Sequence, residues 1–403
     1  MEFQRILVYL VIFLSLFVTF FFLSIFIKFR NKEEKKLANP SKVTFVIPAF
    51  NAADCIERTV NAIFNSDYPQ DKISVIIVND GSTDNTLKIA NNLTKKYPNI
   101  RVLSKKNEGK AVALNYGIKH VKTQITVILD ADTLPKKDLL RKAMAQMEDK
   151  RLMAVTCKII PSNRKKFFER MQVAEYAFTS FYRKLLHYTY ALQTTPAFTV
   201  FRTEFFHKFG NFDAGNLTED MDMGMRIQLN NYGVGYVLDS YAMTLVPRTF
   251  SSLKRQRIRW SYGTLYNLYK FRKMFSPKYG DLGIFFLPSI LTGVLILFLI
   301  SSLVIYNVAD SGLNFFHRLS LGWRPSLLDL NLFSMILSLT DLKIILGVFV
   351  FLIAFGSVFL IKSEVKEKFS IIDWILYVFI YTWFLAYFYI AALFFFLSKK
   401  PQW

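Results

Sequence analysis

Four short apolar, β-rich runs recur along the first third of the chain: Val43 to Ile47, Ile73 to Val78, Ile100 to Leu103 and Ile125 to Leu129. Stretches with helical periodicity separate them, and that alternation predicts βαβ units and a mostly parallel sheet. In such sheets ligands bind outside the carboxyl ends of the strands, where loops and helix N-termini converge. A polar motif follows each run: Pro48-Ala49-Phe50-Asn51, Asp80-Gly81, Asn107-Glu108-Gly109-Lys110 and Asp130-Ala131-Asp132.

A different pattern brackets this region. Ile6 to Ile27 is almost unbroken apolar sequence, long enough at a rise of about 1.5 Å per residue to cross a hydrocarbon core of about 30 Å. It ends in Lys28, Arg30, Lys32, Lys35 and Lys36, not in a small-residue cleavage site, which favours a retained span over a signal peptide. The only basic side chain before it is Arg5, so the positive-inside bias sets the N-terminus outside and the next domain in the cytoplasm. Three further spans are expected at Leu282 to Ile305, Leu342 to Ile361 and Ile371 to Leu397, with Lys362, Lys366 and Lys368 at a cytoplasmic turn. Tyr306 to Asp341 then lies outside, and its Leu327 to Leu339 stretch is too short to cross and reads as interfacial or re-entrant.

The expected organisation is a membrane helix in 1–30, a basic linker in 31–41, a cytoplasmic catalytic domain in 42–248, amphipathic interface helices in 249–280 and about three membrane helices in 281–403. Composition agrees with residence in the cell membrane: of 403 residues 52% are hydrophobic and 41 are Phe, too apolar for an ordinary soluble enzyme. The net charge of +21 suits a face against acidic lipid. Nucleic acid is the poorer partner, because no RNA- or DNA-binding module is present. Cys55 and Cys157 lack metal-ligand spacing and read as buried packing residues, and His120, His187, His207 and His317 form no ligand cluster.

Each polar motif carries a chemical reading beside a plainer one. Asp80 at a strand end can accept a hydrogen bond from a uracil imide N–H, or can serve the turn and helix cap that Ser82 and Thr83 continue. Gly109-Lys110 opens a helix where backbone N–H groups and an ammonium can meet phosphate. Asp130 and Asp132 repel each other unless solvent or a cation relieves them. Mg²⁺ takes one or two carboxylates together with substrate phosphates, and Mn²⁺ serves as well. The competing reading is a solvated turn before a helix that starts at Pro135.

Thr218-Glu219-Asp220 precedes a helical run, Met221 to Leu229, so its acids complement the helix dipole. In the functional reading Asp220, with Glu219 beside it in the candidate catalytic pair, takes a proton from an acceptor hydroxyl while Lys110 and a metal hold a leaving diphosphate. Thr249 to Phe275 alternates basic and aromatic residues and predicts a helix. Its Lys254, Arg255, Arg257, Arg259, Lys270, Arg272 and Lys273 suit lipid headgroups, with Trp260, Tyr262, Tyr266 and Tyr269 at the interface. Alternatively Trp260 offers its ring face to a sugar and an Arg reaches the diphosphate.

The ordered set of Asp80, Asp130-Ala131-Asp132, Thr218-Glu219-Asp220 and Gln256-Arg257-Ile258-Arg259-Trp260 resembles the processive family 2 glycosyltransferases, which include the synthases of cellulose, hyaluronan, chitin and poly-N-acetylglucosamine. The resemblance runs from Lys42 to about Phe275 and extends to NEGKAVALNYG and FRTEFFHKFGNFD. It implies an α/β GT-A domain, Rossmann-like with a mostly parallel sheet, embedded between transmembrane α-helices. It further implies an inverting mechanism, a UDP-sugar donor (N-acetylglucosamine by family habit), Mg²⁺ or Mn²⁺, and a glycan or lipid-linked acceptor.

Carried over by position, Asp80 contacts the nucleobase, Pro48 and Asn51 shape its pocket, and Lys110 lies near the nucleotide. Asp130 sits by the ribose and metal, Asp132 ligates the metal, and Asp220 is the base. Gln256, Arg257, Arg259 and Trp260 close the site over donor diphosphate and acceptor.

Two departures stand out. Asn79-Asp80 replaces an acidic pair, and Thr195-Pro196-Ala197-Phe198 stands where relatives commonly have small residues, so that Pro196 or Phe198 narrows the acceptor pocket. The aromatic stretch Phe167 to Tyr190 serves either amphipathic packing under the membrane or an acceptor channel. Three functions remain in view: polysaccharide elongation, transfer of a single sugar to a membrane lipid, and a non-catalytic membrane subunit. The QRIRW motif speaks against the second, and retention of Asp130, Asp132 and Asp220 against the third.

Overall fold

The computed structural model describes residues 39–192, 197–322 and 370–398, together with 20–28 and a few positions nearby. In chain order the elements of the α/β region are β1 Val43–Ala49, α1 Ile56–Phe64, β2 Ile73–Asp80, α2 Thr86–Lys96, β3 Ile100–Lys105, α3 Lys110–Ile118, β4 Ile125–Leu129, β5 Leu134–Pro135 and α4 Leu139–Gln146. They continue with β6 Leu152–Pro161, α5 Phe167–Tyr188, β7 Phe198–Arg202, α6 Glu204–Phe209, α7 Glu219–Leu229, β8 Gly233–Thr244 and α8 Phe250–Lys270.

All eight strands join one sheet in the order β3-β2-β1-β4-β7-β6-β8-β5. The four expected runs are β1 to β4, paired in parallel as β1 with β2, β2 with β3 and β1 with β4. β6 and β8 are also parallel, while β7 runs antiparallel to β4 and β6, so the sheet is mixed and mostly parallel. Side chains alternate across the strands: Phe45 and Ile47 pack with Ile56, Val60 and Ile77 on one face, and Val46 packs with Val78, Leu114 and Ile128 on the other. Covering both faces explains why the strands read as nearly continuous apolar runs. Each fully buried Val, Ile or Phe contributes about 1.5–3 kcal/mol relative to exposure.

The helix expected from Pro135 is not formed there. Leu134-Pro135 is the edge strand β5, antiparallel to Met243 and Ala242 of β8, and α4 begins four residues later at Leu139. A sheet edge tolerates proline because no ladder hydrogen bond is lost on the solvent side. Cys157 is buried as expected, whereas Cys55 is only partly so.

Beyond α8, a π-helical turn Leu282–Phe286 leads into α9, Leu287–Ser320. The expected stop at Ile305 is overrun, because Tyr306 to Ser320 contains no proline and backbone bonding continues after the apolar run ends. Among the described residues one helix, over Leu282–Leu299, is long and apolar enough to cross a membrane. The expected Ile371 to Leu397 span falls on α10 Ile371–Leu376, a π-helical turn Tyr377–Tyr381 and α11 Thr382–Ser398. Residues 20–28 of the first expected span are helical, and Leu327 to Leu339 and Leu342 to Ile361 lie outside the described residues.

These apolar helices rest on the α/β region through aromatic contacts. Phe22 meets Tyr182 of α5 at 5.4 Å between ring centroids, and Phe26 meets Phe181 at 5.9 Å. Tyr262 and Tyr269 of α8 each lie 6.1 Å from Phe396 of α11. The aromatic face expected at the lipid interface is therefore taken up in part by another helix, through edge-to-face contacts.

Candidate active site

At the carboxyl end of β3 the chain turns sharply into a helix. Gly109 takes φ of 93° directly before α3, a left-handed conformation open to glycine, and this turn sends the Lys110 side chain across toward β4. Lys110 Nζ lies 2.8 Å from Asp130 Oδ1 and 3.1 Å from Glu219 Oε1. One ammonium thus ties the loop after β4 to the start of α7. Burial alone lowers the Lys110 pKa, but Asp130 and Glu219 outweigh it and hold the ammonium above its ordinary value.

The acids around this cation are in unequal situations. Burial and the charge of Asp130 raise the Asp132 carboxyl above the usual range. Its Oδ1 meets only two hydroxyls, Thr133 at 3.3 Å and Thr244 at 3.4 Å. Burial also raises Glu219, yet Lys110 prevails and brings it below its ordinary value. Asp220 is raised, first by burial and then by the charge of Glu219, and accepts a 2.8 Å hydrogen bond from the Met221 N–H. Two carboxylates one residue apart, Asp130 paired with Lys110 and Asp132 held by hydroxyls, fit a divalent cation. No group of three His, Cys, Asp or Glu is arranged as a metal cage among the described residues, so an ion at Asp130 and Asp132 would draw its other ligands from substrate and water.

A cavity of about 430 Å³ opens over these groups, lined by Lys110, Asp130, Asp132, Glu219 and Asp220 and closed by Gln256, Arg259 and Trp260 of α8. A larger cavity, about 640 Å³, lies at the amino ends of the strands around Ser41, Lys122, Arg202 and His207, and no expected site residue reaches it.

The wall formed by α8 is set by a close approach. A Cβ on Gly263 would lie 2.1 Å from Thr218 Oγ1, so the helix can rest on this loop only because position 263 has no side chain. Asn267 of the same helix donates to Thr218 Oγ1 at 2.9 Å and accepts from Asn216 Nδ2 at 2.8 Å. Lys270 reaches Asp222 at 2.5 Å, and Arg259 donates to the Leu217 carbonyl at 2.9 Å. The Thr218-Glu219-Asp220 loop and the QRIRW helix therefore form one rigid unit.

The expected residues divide into three sets. Lys110, Asp130, Asp132, Glu219, Asp220, Gln256, Arg259 and Trp260 share the cavity. Pro48, Asn51 and Asp80 stand apart at the ends of β1 and β2. There Asn51 Oδ1 accepts from Thr83 N at 2.9 Å, and the buried Asp80 accepts from Lys105 Nζ at 3.0 Å, Gly109 N at 2.9 Å and Glu108 N at 3.2 Å. Asp80 thus orients the loop that positions Lys110.

Arg257 is the exception. Its guanidinium is 2% exposed and turns away from the cavity to a bidentate pair with Glu175, at 3.0 and 2.5 Å. Phe198 lies wholly buried in β7, so it does not narrow the pocket; Ala197 lines it, and Pro196 falls outside the described residues.

Tyr176 and Arg183 of α5 also line the cavity and were not anticipated. Their signal was their spacing of two helical turns, which puts both on one face. The stretch Phe167 to Tyr190 packs against the apolar helices and also contributes Tyr176 and Arg183 to the cavity wall.

A doubly covered, mostly parallel mixed sheet with acidic loops at the carboxyl ends of its strands is a GT-A-like Rossmann fold. Residues 40–263 match the glycosyltransferase-like family 2, and the chain belongs to that family. Among similar proteins, a poly-β-1,6-N-acetyl-D-glucosamine synthase of Staphylococcus aureus is 31% identical over 224 residues, covering 55% of this chain and 54% of that protein. A synthase of the same name from Staphylococcus epidermidis is 30% identical over the same share. The match thus spans about half the length of these relatives. The structure of a mannosyltransferase from Pyrobaculum calidifontis with GDP-Man and Mn²⁺ superposes with a TM-score of 0.66 at 18% identity over 98% of both chains, a likeness of fold.

Proposed function

We propose that this enzyme transfers a sugar from a nucleotide-sugar donor, foremost UDP-N-acetylglucosamine, to a growing glycan at the cytoplasmic face of the membrane, with inversion at the anomeric carbon. The observation that carries the reading is the shared cavity, in which a cation-binding acid pair, a bridging lysine, a buried acid pair and an aromatic wall converge. The relatives named as poly-β-1,6-N-acetyl-D-glucosamine synthases support the choice of sugar.

In this reading Asp130, Asp132 and Lys110 hold the donor diphosphate, and Asp80, Pro48 and Asn51 frame the nucleobase. Asp220 takes the proton of the acceptor hydroxyl as its oxygen bonds to the anomeric carbon. The bond from that carbon to the diphosphate breaks on the opposite face, and the diphosphate leaves with the electron pair. Glu219, paired with Lys110, stays ionised and holds Lys110 toward the leaving group. Trp260 supports the acceptor ring, with Gln256 and Arg259 closing over the diphosphate. Mg²⁺ or Mn²⁺, when bound at Asp130 and Asp132, supplies charge neutralisation for the leaving diphosphate. Residues 42–248 form the catalytic domain, 249–280 its interface with the bilayer, 31–41 a basic linker, and 1–30 and 281–403 the membrane helices that embed it.

The test is product size after incubating the purified full chain with radiolabelled UDP-N-acetylglucosamine, UDP-glucose, UDP-glucuronate and GDP-mannose in turn, with Mg²⁺ or Mn²⁺ and membrane lipid. A long, glycosidase-sensitive polymer from UDP-N-acetylglucosamine is the expected result. A single sugar on organic-extractable lipid moves the function to lipid glycosylation, and nucleotide binding without transfer to any acceptor makes the chain a non-catalytic subunit.

A further inference from the structure

Beneath the cavity lies a second charged cluster that the transfer reaction does not use. Arg257 Nε donates to Glu175 Oε1 at 3.0 Å and to the Tyr381 hydroxyl at 2.8 Å, while Nη2 donates to Glu175 Oε2 at 2.5 Å and to Gln172 Oε1 at 3.2 Å. The Tyr381 hydroxyl in turn donates to Glu175 Oε2 at 2.9 Å. Three segments thus meet at one guanidinium: α5 through Gln172 and Glu175, α8 through Arg257, and the π-helical turn Tyr377–Tyr381. Arg257 is 2% exposed and Tyr381 fully buried.

The cluster touches the cavity from below at two points. The Arg257 guanidinium carbon stands 4.1 Å from the centre of the Trp260 ring, and Nη1 donates to Gln256 Oε1. Trp260 and Gln256 both line the cavity. The guanidinium therefore occupies one side of the Trp260 ring and fixes its tilt, leaving the cavity side for a ligand. Within α8 the guanidinium meets Gln256 and Trp260, and its other partners lie on different elements. A buried guanidinium needs acceptors for its donors, and here they come from α5 and from a tyrosine 124 residues further along the chain.

We propose that Glu175 and Tyr381 are positioning residues for the acceptor side of the site: they lock Arg257, and Arg257 locks the ring plane of Trp260 and the amide of Gln256. The C-terminal apolar segment is by this means part of the acceptor-binding apparatus. The inference rests on the glycosyl-transfer reading above and deepens it, with a short β-linked N-acetylglucosamine oligosaccharide as the acceptor probe.

Tyr381→Phe removes one hydroxyl and keeps the ring, and Glu175→Gln keeps the shape of the side chain and removes its charge. Both are made in the full chain. With UDP-N-acetylglucosamine as donor, Tyr381→Phe raises the acceptor KM about two- to tenfold, the range of one lost hydrogen bond, and leaves the donor KM within about twofold. In the Trp260→Phe background the same change costs less than it does in the parent protein, because the part of its effect that passes through the Trp260 indole is already lost. Acrylamide quenching of Trp260, taken as the difference between the parent protein and Trp260→Phe, rises in Tyr381→Phe and in Glu175→Gln even if neither turns over.

Donor and acceptor KM moving together, multiplicative losses in the double variant, or unchanged quenching overturns the proposal. Absence of transfer by the wild-type protein overturns the functional reading instead, and the quenching measurement then still decides whether Tyr381 sets the Trp260 ring.

Discussion

Two charge clusters flank α8, and they differ in arithmetic. Around Arg257 one guanidinium meets one carboxylate, and Tyr381, Gln172 and Gln256 supply further acceptors to it. Around Lys110 a single ammonium pairs directly with Asp130 and Glu219, and the cavity they line also holds Asp132 and Asp220. The first cluster is closed and has the character of scaffold. The second sets four carboxylates, Asp130, Asp132, Glu219 and Asp220, against Lys110, Arg183 and Arg259 in one cavity, an excess of negative charge of the kind a protein maintains where a cation or a proton is to be received. Balance of charge, more than its presence, separates the structural cluster from the reactive one.

The sharpest way to break this comparison is Asp220→Asn. It removes the proton acceptor, so transfer falls by about 10²–10⁴-fold, while UDP binding by calorimetry stays near the wild-type value; retained turnover would remove Asp220 from the base role. Next is Arg257→Met, which strands Glu175 in a buried setting and destabilises the fold by about 3–5 kcal/mol, seen as a large drop in Tm. Lys110→Met, by contrast, changes Tm less and removes turnover; equal Tm losses would erase the distinction between the two clusters.

Asp132→Asn comes third. It weakens metal dependence by about 10–100-fold in the Mn²⁺ concentration needed for half-maximal activity, whereas the Arg257 variant leaves that midpoint in place. Smallest is the pH effect: Asp220 must be deprotonated to accept a proton, and burial and Glu219 raise its pKa. Activity therefore falls as pH drops through a limb above the ordinary Asp value of about 3.9. A limb at or below that value in a pH–rate profile contradicts the raised Asp220.

The contrast also explains what could be read in the sequence. β1 to β4 were legible because strands covered on both faces must be apolar at nearly every position, and the acids after them were legible because such strands end at ligand-binding loops. The inward turn of Arg257 was not. Five consecutive residues, Gln256 to Trp260, at about 100° per residue go more than once around a helix, so they cannot all face one cavity. Gln256, Arg259 and Trp260, at i, i+3 and i+4, share the pocket face, and Arg257 points elsewhere. Glu175 and Tyr381 were illegible for another reason: a partner distant in sequence leaves no local spacing. Pro135 misled because a proline that suits the first turn of a helix also suits a sheet edge.

The link from Arg257 to Tyr381 bears on when the enzyme becomes competent. Ribosomes deliver the catalytic loops first and residue 381 well after them, so a nascent or wrongly inserted chain has its acids in place before its tryptophan wall is braced. Acceptor binding would then be tightest in molecules in which the segment Ile371–Ser398 has docked, so that the grip on the growing glycan matures with the seating of the protein.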